Sequence, residues 1–208
     1  MITASEVAQQ LLQIKAIKLS PQNPFTWASG IKSPIYCDNR KVLSYPTARN
    51  IIKQSLVEQS KQFQPFDVVA GVATAGIPHG ALLADALGLP FVYIRSKAKG
   101  HGMKNLIEGE LKEDANVLVV EDLISTGGSC LKAVDALKAV NANICGVLAI
   151  FTYGFDTAVQ NFKAANVPFA TLSNYDTLVQ FAIETNYIEP EMLKTLQEWR
   201  KSPQTWKV

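Results

Sequence analysis

The stretch that most constrains this chain runs from Val117 to Ser129 and reads Val-Leu-Val-Val-Glu-Asp-Leu-Ile-Ser-Thr-Gly-Gly-Ser. The run from Asn116 to Val120 is apolar on both sides of any pleat and rich in β-branched residues. That pattern predicts a parallel strand buried between two helical layers. Glu121 and Asp122 are then expected where the strand ends. Ser125, Thr126, Gly127, Gly128 and Ser129 follow, and Leu131, Val134, Leu137 and Val140 repeat at helical spacing, so the small residues form a loop that opens a helix. Amides at a helix N-terminus, helped by the macrodipole and by two or three hydroxyls, make a site for a phosphate monoester. Carboxylates aimed at that phosphate would repel it, so Glu121 and Asp122 are expected to face a hydroxyl-rich neighbour, and a ribose ring fits. The bland alternative is an ordinary strand, turn and capped helix with solvated acids at its edge. Acid pair, hydroxyls and glycines occurring together, with the right periodicity on both sides, argue against it.

The flanking sequence predicts the same fold class. Residues 67–71 predict a strand, 77–87 a helix and 91–94 a strand, a βαβ unit with a right-handed crossover, and 144–151 add another buried strand. Between the first strand and helix lies Val72-Ala73-Thr74-Ala75-Gly76, a second loop of small residues at a carboxyl strand end, where ligands of open α/β sheets bind. Either a diphosphate rests on its amides or its glycine serves close packing alone. Further helices are predicted over 3–15, where Thr3 and Glu6 form a capping box, from Ser44 and Pro46 to about Lys61, and near 156–164, 177–186 and 190–201.

Two segments break the alternation. From Ile17 to Leu43 the chain is cut by Pro21, Pro24, Gly30 and Pro34 into short pieces, which predicts a small hood ahead of the main fold. It gathers Phe25, Trp27, Lys32, Tyr36, Asp38, Arg40 and Lys41, a mixture suited to a planar polar ring or to a surface hairpin with its own small core. From Ser96 to Asn105 the chain is polar, basic and punctuated by glycine, and too poor in apolar residues to anchor itself, which predicts a mobile loop. With Arg95 before it, the loop carries Lys97, Lys99, His101 and Lys104. Such a loop closing over an anionic substrate neutralises a departing phosphate and excludes water; the plainer reading is a solvated loop.

Composition removes several classes of function. At 208 residues, 48% of them hydrophobic, the chain suits one sizeable core and a single domain with a hood contributed by about residues 1–45. A net charge of +2, from 20 basic and 18 acidic residues, provides no broad basic face for nucleic acid. No apolar run approaches the roughly 20 residues of a membrane helix, and the N-terminus lacks a basic segment followed by an apolar one, so a cytoplasmic protein is expected. Cys37, Cys130 and Cys145 form no C-x-x-C pair and have no histidine cluster near them, which leaves a disulfide or zinc framework unsupported. His79 is expected to be a core or interface histidine, and Trp199 and Trp206 packing or interface residues.

Together these residues resemble the type I phosphoribosyltransferases, and Val117 to Ser129 is similar to their signature for phosphoribosyl pyrophosphate. The resemblance to the orotate phosphoribosyltransferases is closer still and spans nearly the whole chain. It rests on Phe25-Thr26-Trp27-Ala28-Ser29-Gly30-Ile31-Lys32-Ser33-Pro34-Ile35-Tyr36 in the hood, Gly76-Ile77-Pro78, and Arg95, Lys99 and His101-Gly102 with Ile107-Glu108-Gly109. The resemblance implies an α/β fold with a central, mainly parallel sheet flanked by helices and a small N-terminal hood. It implies formation of orotidine 5′-phosphate and diphosphate from orotate and phosphoribosyl pyrophosphate with Mg²⁺ held through substrate oxygens. It implies that Glu121 and Asp122 hold the ribose hydroxyls, within a phosphoribosyl pyrophosphate segment continuing through Leu123, Ile124, Ser125, Thr126, Gly127, Gly128 and Ser129. Thr126 would lie beside orotate. Arg95, Lys97, Lys99 and His101 would bind the diphosphate from the neighbouring subunit of a homodimer with shared sites, and Lys99, His101 and Asp122 would carry the catalysis. The chain departs from many relatives at Ala28 and Ala75, where they carry lysine, and at Thr152-Tyr153-Gly154, where they bring an arginine against orotate; Lys32 and Arg40 are then the candidates for the orotate carboxylate. Transfer to a purine or another base, or non-catalytic sensing of phosphoribosyl pyrophosphate, is the alternative.

Overall fold

The computed structural model describes residues 2–27, 29–97 and 106–206. Thr3 caps the first helix, α1 (Ala4–Gln13): its hydroxyl accepts the Glu6 N–H, and the Glu6 carboxylate accepts the Thr3 N–H at 2.7 Å. The expected capping box is present, and Val7, Ala8, Leu11 and Leu12 are buried on the inner face of α1. The proline-broken stretch folds as two small antiparallel ribbons, β1 (Ile17–Leu19) on β4 (Ile35–Cys37) and β2 (Phe25–Thr26) on β3 (Lys32–Ser33). A 3₁₀ turn at Asn39–Ser44 then leads into α2 (Pro46–Ser60), which begins on its proline.

The alternation follows as β5 (Val68–Val72), α3 (Gly76–Leu87), β6 (Phe91–Ile94), β7 (Ile107–Glu108), β8 (Asn116–Ile124), α4 (Gly128–Lys138), β9 (Asn143–Thr152), α5 (Asp156–Ala164), β10 (Phe169–Asn174), α6 (Tyr175–Glu184) and α7 (Met192–Lys201). One sheet of order β10-β9-β8-β5-β6-β7 results, parallel throughout except for β7, which runs antiparallel to β6. Both faces are covered, as the unbroken apolar runs require. Leu118, Val120, Leu148 and Ile150 pack with α1, α2 and the hood, while Val117, Val119, Val147 and Ala149 pack with α4 and α5. Among the described residues no helix is long and apolar enough to cross a membrane.

Two features differ from expectation. The strand β10 reads Phe-Ala-Thr-Leu-Ser-Asn, too mixed to register as a strand pattern; it forms because β9 offers it a parallel edge, Phe169 opposite Val147 through Asn174 opposite Thr152. The strand β8 also continues four residues beyond its apolar run. On the β5 side its pairing stops at Gly71 with Val120, but on the β9 side it runs on through Glu121 with Ala149 to Ile124 with Thr152. Glu121 and Asp122 therefore lie within a strand that is bonded along one edge and open along the other. This is also where the topology reverses: from β5 the chain steps outward to β6, then returns to β8 on the opposite flank. The loops leaving β5 and β8 diverge there and open a crevice at the carboxyl ends of the strands.

Candidate active site

The acid pair lies on β8 at that switch point. Successive strand residues leave on opposite faces, but Glu121 curls back over the strand end, and its Oε1 accepts the Asp122 N–H at 2.9 Å. Glu121 is only 5% exposed. Burial, reinforced by the neighbouring Asp122 carboxylate, pushes its pKa up to about 9, and burial raises Asp122 as well. Both shifts favour the protonated form, and a carboxyl group that holds a proton can donate to a diol as well as accept from it.

Beyond the acids the chain turns through Ser125 and Thr126 to Gly127, the residue that caps α4, with φ 81° and ψ −5°. This left-handed backbone suits glycine, and a Cβ there would also come within 2.7 Å of Phe162 Cε2. No side chain caps α4, so its first amides are left for a ligand. The carbonyls of the segment are turned the other way and held from behind. Asn39 Nδ2 donates to the Asp122 carbonyl at 2.7 Å, Thr152 Oγ1 to that of Ile124 at 3.0 Å, and Asn161 Nδ2 to that of Thr126 at 2.9 Å. These three supports come from the hood turn, β9 and α5, and nothing in the local sequence of the loop announces them. With these carbonyls engaged, the amides and hydroxyls of the turn are the groups left to meet an oxyanion.

Over Ser125 and Thr126 opens a cavity of about 400 Å³, walled by Trp27 and Ile31 of the hood, Phe155 after β9, and Arg200 at the end of α7. The hood is fastened there by aromatic packing. Trp27 stacks on Tyr153 at 5.3 Å and meets the edge of Trp199 at 5.6 Å, and its indole N–H donates to the Ile35 carbonyl. Trp199, fully buried, donates in turn to the Lys32 carbonyl at 3.2 Å. Of the three hood aromatics, Trp27 lines this cavity. Phe25 and Tyr36 pair with each other instead, at 5.7 Å. Neither carboxylate candidate lines this cavity: Lys32 Nζ donates to Thr26 Oγ1 at 2.7 Å, and Arg40 is paired with Asp38 at 2.6 Å. Ser125 borders the cavity together with Thr126, although Thr126 alone is the residue expected there.

Ser129 faces a second cavity, of about 430 Å³, with Ala73 of the β5 turn, Arg95, Ser96 and Lys132. Arg95 pairs with Glu108 of β7 at 3.2 Å, and Lys97 is exposed at the rim of the described segment. Lys99, His101 and Lys104 lie outside the described residues, as does Ala28. The β5 turn is joined to the acid pair by close packing: a Cβ on Gly76 would lie 2.5 Å from the Val120 carbonyl oxygen and 3.2 Å from Glu121 Cα. His79 is a core histidine as expected, 1% exposed, with burial lowering its pKa to about 4. For a divalent cation, the described residues hold no group of three or more His, Cys, Asp or Glu side chains. Two adjacent carboxyl groups, Glu121 and Asp122, fit a hydrated ion bound mainly through substrate oxygens, the usual habit of Mg²⁺.

Residues 43–182 match the family model of the phosphoribosyl transferase domain. The orotate phosphoribosyltransferase of Porphyromonas gingivalis is 54% identical over 201 residues, covering 96% of either chain. That of Bacteroides fragilis is 57% identical over 200 residues, covering 96% of this chain and 94% of the relative. Among solved structures, orotate phosphoribosyltransferase from Aeropyrum pernix is similar with a TM-score of 0.77 at 26% identity, over 88% of this chain and 99% of that one. Adenine phosphoribosyltransferase from Leishmania donovani shares the fold at a TM-score of 0.61 and 20% identity, over 82% of this chain and 80% of that one, so the fold alone does not choose the base. Identity above half over nearly the full length does choose: the chain belongs to the phosphoribosyltransferases and, within them, to the orotate phosphoribosyltransferase family.

Proposed function

We propose that this chain, working as a single phosphoribosyltransferase domain, transfers the 5-phosphoribosyl group of phosphoribosyl pyrophosphate to orotate, giving orotidine 5′-phosphate and diphosphate on the route to UMP. The observation that carries the reading is the meeting of three parts at one topological switch point: the Glu121–Asp122 pair, the uncapped start of α4, and the cavity under Trp27. A ribose diol is held by Glu121 and Asp122, and its 5′-phosphate by the segment from Ser125 to Ser129, with Leu123 and Ile124 carrying the backbone between them. The planar base enters beside Ser125 and Thr126, against Trp27.

In the transfer, a ring nitrogen of orotate forms a bond to the anomeric carbon as the bond from that carbon to the diphosphate oxygen breaks. Positive charge grows on the sugar and negative charge on the leaving group. Asp122 favours the former, and Arg95, Lys97, Lys99 and His101 the latter, so electrostatic stabilisation carries most of the catalysis. Glu121 and Asp122 would help hold Mg²⁺, bound mainly through substrate oxygens, and the ion would supply further charge neutralisation at the diphosphate. The same proposal includes a homodimer in which the basic segment, Arg95 with Lys97, Lys99 and His101, serves the neighbouring subunit's site.

Mixing the protein with Mg²⁺, phosphoribosyl pyrophosphate and one base at a time, and following diphosphate release, tests the reading. Release with orotate is expected; release with adenine or hypoxanthine but not orotate refutes it. Lys99→Ala is expected to lower kcat by roughly 10²-fold, as for loss of one preorganised stabilising group.

A further inference from the structure

Orotate differs from uracil by one carboxylate, and a site that selects it needs a cation where that group arrives. Arg200 and Lys201 are the cations that line the cavity over Ser125 and Thr126, and Asp156 is its carboxylate. Arg200 is the better placed of the two. Its neighbour Trp199 is locked in the core by the Lys32 carbonyl and by rings on four sides, Trp27, Tyr153, Phe155 and Tyr175, so the helix end cannot slide. Its guanidinium crosses to the strand β9 side, where Nη1 lies 3.6 Å from the point a Cβ on Gly154 would occupy. That is an ordinary contact distance, so the guanidinium lies directly against the turn after β9. On its outer side Nη1 donates to Asp176 Oδ2 of α6. An arginine has five N–H donors in a planar fork, and one such bond leaves the rest of the fork available. The side chain keeps 32% of its exposure, enough for a ligand to reach it.

We propose that Arg200 is the residue of this chain that recognises the carboxylate of orotate, and that Asp176 is the positioning residue that orients it. The assignment rests on the function proposed above and deepens it. The fork meets the carboxylate in a charge-assisted pair while the ring lies against Trp27, and uracil, lacking the carboxylate, forgoes that pair. The C-terminal helix thereby becomes part of the specificity apparatus, in a chain where Lys32 and Arg40 are engaged elsewhere in the hood.

The test compares Arg200→Met, Arg200→Lys and Asp176→Asn with the parent protein, using orotate and uracil as bases under saturating phosphoribosyl pyrophosphate and Mg²⁺. Arg200→Met is expected to raise the KM for orotate and cut the preference for orotate over uracil by about 10- to 100-fold, the usual worth of hydrogen bonds to a charged group. The KM for phosphoribosyl pyrophosphate should move less than about twofold, which separates the effect from general damage. Arg200→Lys, keeping the charge but not the fork, should fall between. Asp176→Asn should raise the orotate KM with little change in kcat, and should add nothing when combined with Arg200→Met. An undiminished preference for orotate in Arg200→Met overturns the assignment, as does an equal rise in the KM of both substrates. Should the parent protein fail to use orotate at all, the proposed function and this assignment fall together, and the parent arm alone reveals it.

Discussion

Gly76→Ala tests whether the β5 turn and the acid pair act as one unit. Gly76 opens α3 directly over the end of β8, and an added Cβ would stand 2.5 Å from the Val120 carbonyl oxygen, where 3.4 Å is the start of ordinary contact. The strand cannot yield, because Val119 and Val120 are fully buried and β8 is paired on both sides at that level. The start of α3 must therefore retreat by about 1 Å, carrying the Val72–Gly76 turn with it. Overpacking of this kind costs about 1–3 kcal/mol. At about 2–4 °C per kcal/mol for a chain of this size, the expected fall in Tm is about 2–12 °C. A shift of about 1 Å in a binding turn also costs about 10²-fold in turnover. Differential scanning fluorimetry gives the first quantity, and initial rates over a phosphoribosyl pyrophosphate series give the second as kcat/KM. A variant with parental Tm and kcat/KM would falsify the close-packing argument. One that loses stability but uses phosphoribosyl pyrophosphate normally removes the β5 turn from the substrate site.

Glu121 provides a pH test. Its folded-state pKa, about 9, lies above the ordinary 4.5, so between those values the native protein binds more protons than the unfolded chain. Stability of the unliganded protein is then greatest below the unfolded value and is lost as pH rises through about 9; Glu121→Gln should flatten that slope in urea melts, and an unchanged slope refutes it. The phosphate turn distinguishes its two glycines. Gly127→Ala should destabilise by about 1–2 kcal/mol for the left-handed backbone alone, with further cost against Phe162, whereas Gly128→Ala, with nothing nearer than Thr126 Oγ1 at 3.9 Å, should melt at or above the parental temperature. The reverse order in thermal melts refutes the assignment of Gly127 as the residue the turn requires.

The parts legible in the sequence are those whose cause is local. The buried run before Glu121, the small-residue turn and the periodic α4 each carry their own pattern, so strand, loop and helix follow from one stretch of chain. The capping box at Thr3 and the proline opening α2 are legible for the same reason. What escaped depends on partners distant in sequence. The continuation of β8 past Val120 exists because β9 stays paired there, and β10 because β9 has a second edge. Asn39, Thr152 and Asn161 hold the loop carbonyls from 83, 28 and 35 residues away. An Asn in a turn and a Thr in a strand have many ordinary uses, and only the fold selects this one.

The two candidates for the carboxylate fail for a related reason. Lys32 and Arg40 are near the hood aromatics in sequence, but a cation next to a hydroxyl or a carboxylate on its own ribbon tends to bond there first, as Lys32 does with Thr26 and Arg40 with Asp38. Arg200 is far away in sequence, at the end of a helix otherwise read as packing. It reaches the cavity because Trp199 before it is anchored to the hood itself. That coupling has a mechanical consequence: Trp199 touches both the Trp27 ring and the hood backbone, so a change at Trp27 is felt at the end of α7. Recognition of the ring by Trp27 and of its carboxylate by Arg200 should then be cooperative. Trp27→Ala should weaken the effect of Arg200→Met on orotate KM, giving a double variant less impaired than the product of the two single losses, and strict additivity would show that the two walls respond independently.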